Sequence, residues 1–133
     1  MLHEAITNQI IKGFYNVYNT LGFGFLEKVY EKSLYLELRS MGLKVEKQMP
    51  IKVSYKGDEV GDYYADLVVE DLVIVELKAA EGLIEEHELQ LINYLKATNI
   101  EVGLLLNFGK SATVKRKFFN NNLKSIREHP SNP

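Results

Sequence analysis

Cysteine is absent from the 133-residue chain, which excludes disulfides, a zinc knuckle and a thiol nucleophile. No run approaches the roughly 20 apolar residues that span a bilayer. The opening Met1-Leu2-His3-Glu4-Ala5-Ile6 has no basic segment ahead of an apolar stretch, so no signal peptide is expected and a cytoplasmic location is. Repeats, low-complexity tracts and internal linkers are missing too, which leaves one domain over 1–119 and a C-terminal tail over 120–133. No serine stands beside a histidine in a recognisable nucleophile motif, so a triad has no support. Charge of one sign is also lacking: 16 basic residues face 18 acidic ones, a net −2, unlike the basic footprint of a dedicated nucleic-acid binder.

The chain is instead 46% hydrophobic and 26% charged, a balance that buries one core and argues against disorder. Ile6, Ile10, Phe14, Val17, Tyr18 and Leu21 recur at helical spacing from about Glu4 to Leu21, with Gly22 as a left-handed stop. A second helix is expected from about Leu26 to Met41, with Leu26, Val29, Tyr30, Leu34 and Met41 on one stripe and Gly42 as its end. Ile51, Val53 and Tyr55 alternate with polar residues as a strand, and Lys56-Gly57-Asp58 is a turn. Tyr63–Val69 and Leu72–Lys78 read as further strands, the latter buried on both faces because it opens Leu72-Val73-Ile74-Val75. A helix from about Leu83 to Thr98 has Ile84, His87, Gln90, Leu91, Tyr94 and Leu95 on its inner stripe. Val102–Leu106 is another buried strand, Lys110–Phe119 fits a strand or a helix, and the segment from Asn120 is expected to fray. A helix crossing between buried strands predicts an α/β domain with a mixed sheet flanked by helices, in the order α-α-β-β-β-α-β.

Charged residues interrupt the apolar strands. Glu76 and Lys78 lie two apart and project to one face. Alone they are adequately explained as a structural ion pair, since burial of unpaired charge costs several kilocalories per mole. Asp66, in Tyr64-Ala65-Asp66-Leu67, adds a second carboxylate across the hairpin. With a two-residue loop at Glu70-Asp71, Asp66 opposes Val75 and points away. With a three-residue loop or one bulge it opposes Glu76 on the same face, and that register is the expectation here. Two convergent carboxylates suit a hard cation such as magnesium. Such a cation polarises a phosphodiester and activates water, while a neighbouring lysine offsets developing charge. On the opposite side of the charge balance, Lys110, Lys115, Arg116, Lys117, Lys124 and Arg127 gather toward the C-terminus, either as solvated surface or as a strip for a phosphodiester substrate.

Asp66 with Glu76-Leu77-Lys78 resembles the PD-(D/E)XK motif, and the order of elements resembles that superfamily's nuclease-like core. Ala65 stands where the motif's name has proline. Gly24-Phe25-Leu26-Glu27-Lys28-Val29-Tyr30 is similar to the motif that names the GxxExxY protein family, and the likeness runs from about Gly13 to Phe119. The resemblance implies a metal-dependent nuclease acting on DNA, with Mg2+ or Mn2+ held by Asp66 and Glu76. It further implies that Glu27, on the first helix of that core, and the Leu77 carbonyl join the ligand set, although a first-turn glutamate is equally explained by the helix dipole. Gln90 and Tyr94, one turn apart, resemble the Gln-x-x-x-Tyr motif of the RecB-like branch, which implies that Gln90 holds Lys78 or a phosphate. For His87, Tyr94 and Tyr30, ordinary core packing is the stronger explanation. Two alternatives remain from other classes. One is a non-catalytic binding or regulatory module on the nuclease scaffold; the other is an interaction domain acting as a homodimer.

Overall fold

A computed structural model describes residues 1–127. Its elements are α1 (Glu4–Leu21), α2 (Glu27–Ser40), β1 (Val45–Tyr55), β2 (Asp58–Val69), β3 (Val73–Lys78), α3 (Glu85–Lys96), β4 (Val102–Phe108) and β5 (Ala112–Phe118), followed by a 3-10 turn at Asn121–Leu123. The five strands form one sheet in sequence order, β1-β2-β3-β4-β5. Only β3 and β4 run parallel, because α3 carries the chain back between them; the other pairs are antiparallel. The expected mixed α/β fold is therefore present, with β5 added to the expected order.

The alternation of side chains along β3 explains the layers. Val73, Val75 and Leu77 pack with Ile10, Phe14, Tyr30, Leu34 and Leu38 of α1 and α2. Ile74 faces the opposite side with Leu91, Tyr94 and Leu95 of α3. Because both faces are covered, Val73, Ile74 and Val75 are all fully buried, as a central strand requires. At the C-terminal end of β4, Phe108 is clasped by three aromatics of the first layer. Tyr30 stacks on it at 4.2 Å between ring centroids and Phe14 meets it edge-on at 4.7 Å, and Tyr18 lies at 6.4 Å. Such pairs add about 0.5–1.5 kcal/mol beyond area burial.

Several expectations shift. α1 ends at Leu21 as read, but Gly22 has φ 71° and ψ −164°, a glycine-favoured conformation outside the left-handed helical basin. Strand β1 starts at Val45 and includes the polar run Glu46-Lys47-Gln48. The β1–β2 turn is tighter than a three-residue turn, with Lys56 and Gly57 alone between the paired Tyr55 and Asp58. Both have positive φ, the backbone of the primed two-residue hairpin turn. Leu26, Val29 and Ile84 are exposed rather than inward. Lys110–Phe119 resolves as strand β5.

Residues 120–127 do not fray. Ser54 N–H donates to the Ile126 carbonyl at 2.8 Å, and Val53 and Arg127 form a β-bridge, so the segment returns to the β1 edge. Lys124 Nζ donates to the carbonyls of Thr98 and Ile100 at 2.9 and 2.7 Å. The rest of the expected tail, 128–133, lies outside the described residues.

Candidate active site

The register of β2 against β3 decides whether the two strand carboxylates meet. Val69 pairs with Val73, Val68 with Ile74 and Leu67 with Val75. Three residues, Glu70, Asp71 and Leu72, thus form the loop, the first two at positive φ. One further step of this register sets Asp66 against Glu76. There the ladder stops and the side chains bridge the strands instead. Asp66 N–H donates to Glu76 Oε2 at 2.7 Å, and Leu77 N–H donates to Asp66 Oδ2 at 2.9 Å. Each carboxylate takes the place of a ladder carbonyl on the neighbouring strand, which fixes both groups and satisfies the backbone donors.

Burial sets the electrostatics. Glu76 is only 5% exposed, and its carboxyl is pushed up to about 8, first by burial and then by the charge of Asp66, against the opposing pull of the Asp66 N–H and Lys78. Asp66 is raised as well. Desolvation is the largest cause; the Leu77 N–H and Lys78 oppose it, while Glu31 and Glu27 of α2 reinforce it. The two carboxylates thus repel each other in a place where neither can shed charge into solvent.

Lys78 follows Glu76 on the same face of β3, and its charge favours ionisation of both carboxylates. Among the described residues it forms no ion pair within 4.0 Å, so Glu76 and Lys78 are not the simple structural pair. Glu27 is the exposed first residue of α2; its charge reaches Asp66. Gln90 Nε2 donates to the Tyr94 hydroxyl at 3.0 Å, and among the described residues no hydrogen bond joins Gln90 to Lys78. Gln90 and Tyr94 line a groove of about 470 Å³ together with Val53 and Tyr63. The Tyr94 hydroxyl is pushed up to about 12 by burial and then by the charges of Glu76 and Asp66. His87 serves the helix rather than the site, since its Nδ1 accepts the Ile84 N–H at 3.3 Å at the start of α3.

Two site residues escape a reading of the sequence. Glu31 lies one helical turn beyond Glu27, and its carboxylate is held by Gln48 Nε2 at 3.0 and 3.1 Å. Gln48 is at φ 52°, at the position where the β1–β2 pairing skips between Lys47↔Leu67 and Met49↔Ala65. The i, i+4 spacing of the two glutamates was the available signal. The second is Asn107, 1% exposed and paired in register with Lys78. Its Oδ1 accepts the Ala80 N–H and its Nδ2 donates to the Ala80 carbonyl, both at 3.0 Å. This clamp fixes the chain as it leaves β3. Gly109 is part of the same packing, since a Cβ there would lie 2.4 Å from the Ala80 oxygen. Asn107→Ala is expected to cost about 2–4 kcal/mol, because two backbone groups lose partners near the core. Urea unfolding measures this; a midpoint unchanged from wild type would remove the clamp from the account.

The expected basic strip is broken up. Lys117 pairs with Glu88 at 2.5 Å, an Arg116 guanidinium nitrogen donates to the Leu2 carbonyl, and Arg127 donates to Asn99 Oδ1 at 2.8 Å. Lys124 is turned onto carbonyls, with its ammonium lowered to about 8 by burial, then by Arg127. Lys110 and Lys115 stay exposed.

Divalent-cation chemistry is compatible with the donors. Asp66 and Glu76 offer hard oxygens, each with one oxygen tied to a backbone N–H and the other without a hydrogen bond among the described residues. A cation would offset the burial and the neighbouring negative charge that raise both groups. No group of three or more histidine, aspartate or glutamate side chains is placed to hold a metal among the described residues, so remaining ligands would be backbone oxygen or water.

Residues 4–118 match the family model of the PD-(D/E)XK nuclease superfamily. The chain belongs to that superfamily. No curated protein and no solved structure matches it.

Proposed function

We propose that the protein is a metal-dependent phosphodiester hydrolase acting on nucleic acid, with DNA as the substrate. The observation that carries this is the reciprocal bridge of Asp66 and Glu76, which holds two repelling carboxylates together at the end of the central strand. Magnesium or manganese, when bound there, would supply Lewis-acid polarisation of the scissile phosphate. The backbone bonds to Asp66 and Glu76 keep their free oxygens oriented, so little reorganisation accompanies binding. Lys78 projects from the same face and balances charge on the phosphate as the bond breaks. Glu27 sits at the rim to orient water toward that phosphate, and the Leu77 carbonyl is a further oxygen donor beside Glu76. Gln90, positioned by Tyr94, faces the substrate from α3.

Calorimetric titration of magnesium and manganese into the wild type and the Asp66→Ala/Glu76→Ala double variant tests this. Binding is expected in the wild type and not in the folded double variant. Equal binding by both would place the metal elsewhere.

A second class of function, a non-catalytic module on the same scaffold, draws support from the net charge of −2 and the break-up of the basic strip. It requires partner binding that is unchanged in a metal chelator.

A further inference from the structure

Just beyond the C-terminal end of β3, the chain displays apolar surface. Phe23 is 55% exposed, Phe25 48% and Leu26 79%. They border a groove of about 380 Å³ whose lining includes Ala79, Ala80 and Lys110, a size that takes a small planar ligand. The groove adjoins the site through the chain at two places. Ala79 directly follows Lys78, and Leu26 directly precedes Glu27, whose charge reaches Asp66.

The exposure is built in. Tyr30, fully buried and stacked on Phe108, donates its hydroxyl to the Gly22 carbonyl at 2.6 Å and accepts the Phe25 N–H at 3.2 Å. Gly24, at φ 109°, adopts a backbone closed to other residues and sets Phe23 and Phe25 on either side of it. Two aromatics are thus held outward by a pinned loop, when the same apolar area would be more stable covered. The Tyr18 hydroxyl lies 2.7 Å from the carbonyls of both Gly109 and Lys110, which share its one proton, and this anchors the backbone at Lys110. Among the lining residues Glu81 is the one carboxylate, so phosphate contact falls to Lys110.

We infer that the Phe23–Leu26 loop is a base-stacking subsite that takes nucleotides from an unpaired strand, and that Lys110 contacts the adjacent phosphate. This rests on the proposed nuclease function and specifies its substrate: single-stranded nucleic acid or the unpaired end of a duplex. Base faces are free to stack on aromatics only when a strand is unpaired, and such stacking tolerates any sequence. A protein partner would use the apolar walls but has no need of a lysine beside a phosphodiester-cleaving site.

The chain contains no tryptophan, so Phe23→Trp and Phe25→Trp each create a single fluorescent reporter. Phe23→Trp is the milder change, because Phe25 also packs edge-on against Tyr30. Each is mixed in magnesium with an oligothymidylate of about ten nucleotides, a length within one single-strand binding site. The abasic counterpart and a blunt duplex are run alongside, and cleavage is followed in the same samples. Quenching by the oligothymidylate, with little by the abasic strand or the duplex, is expected. Phe23→Ala/Phe25→Ala should weaken oligothymidylate binding about tenfold or more and leave duplex binding nearly unchanged. Equal quenching by the abasic strand, or cleavage without quenching in either reporter, overturns the subsite while the nuclease function stands. Quenching without cleavage keeps the subsite and removes the nuclease function. No quenching by any oligonucleotide overturns the subsite and leaves the apolar rim to a protein.

Discussion

Asp66→Ala and Glu76→Ala are each expected to lower magnesium-dependent cleavage of DNA by about a thousandfold or more, which corresponds to several kcal/mol of transition-state stabilisation. Either change removes half of a two-carboxylate donor set, and each also deprives the other strand of its bridge, since Glu76 accepts from Asp66 N–H and Asp66 from Leu77 N–H. The isosteric variants separate these effects. Asp66→Asn and Glu76→Gln retain an oxygen for the backbone donor and lose the charge, so they are expected to fold like wild type and still be inactive. Lys78→Ala should cost less, because a lysine offsets charge without holding the cation. A strictly additive loss in the Asp66→Ala/Glu76→Ala double variant would show that the two do not act as a unit. Full activity in both single variants would sink the assignment.

The sequence carried the positions of these residues further than it carried their surroundings. Period-two alternation put Glu76 and Lys78 on one face, and a choice between two loop lengths determined whether Asp66 joined them. Nothing local decided that choice. Leu72 reads as the first residue of a buried strand, yet it belongs to the loop and is 37% exposed, because Glu70 and Asp71 both adopt positive φ. The polar start of β1 was illegible for a related reason: Glu46, Lys47 and Gln48 lie in an exposed outer strand, where no apolar alternation is required. β5 has the same character, with Lys115, Arg116 and Lys117 in a row. Periodicity also misplaced Leu26 and Ile84, since it registers an apolar residue without telling core from the rim of a groove. Glu31 and Asn107 escaped because their roles depend on partners far away in sequence, Gln48 and Ala80.

The stability of the metal-free protein is expected to fall as pH rises from about 4.5 to about 8, opposite to the usual behaviour of paired carboxylates. Glu76 has a usual value of 4.5 and is pushed up to about 8 in the fold. Between those values the folded state therefore holds a proton that the unfolded chain has released. The stabilisation is fully present below about 4.5, is lost through the interval, and levels off once both states are ionised. Asp66, raised in the same direction, deepens the fall at its acidic end. For a group this buried the total is on the order of a few kcal/mol. Lys124 works in the next window: its ammonium is lowered from 10.5 to about 8, so the folded state has released a proton that the unfolded chain keeps, and stability recovers somewhat between those values. Chemical denaturation across pH 5–10 in a chelator would trace both limbs. Glu76→Gln, which removes the titrating group and keeps an oxygen for Asp66 N–H, should flatten the first limb and spare the second. Added magnesium should stabilise the wild type more above about pH 8, where Glu76 has lost the proton that competes for the metal, and least near pH 5. A wild-type profile flat from pH 5 to 8 would mean that Glu76 is not held against Asp66 in a dry site, and the preorganised pair would lose its physical basis.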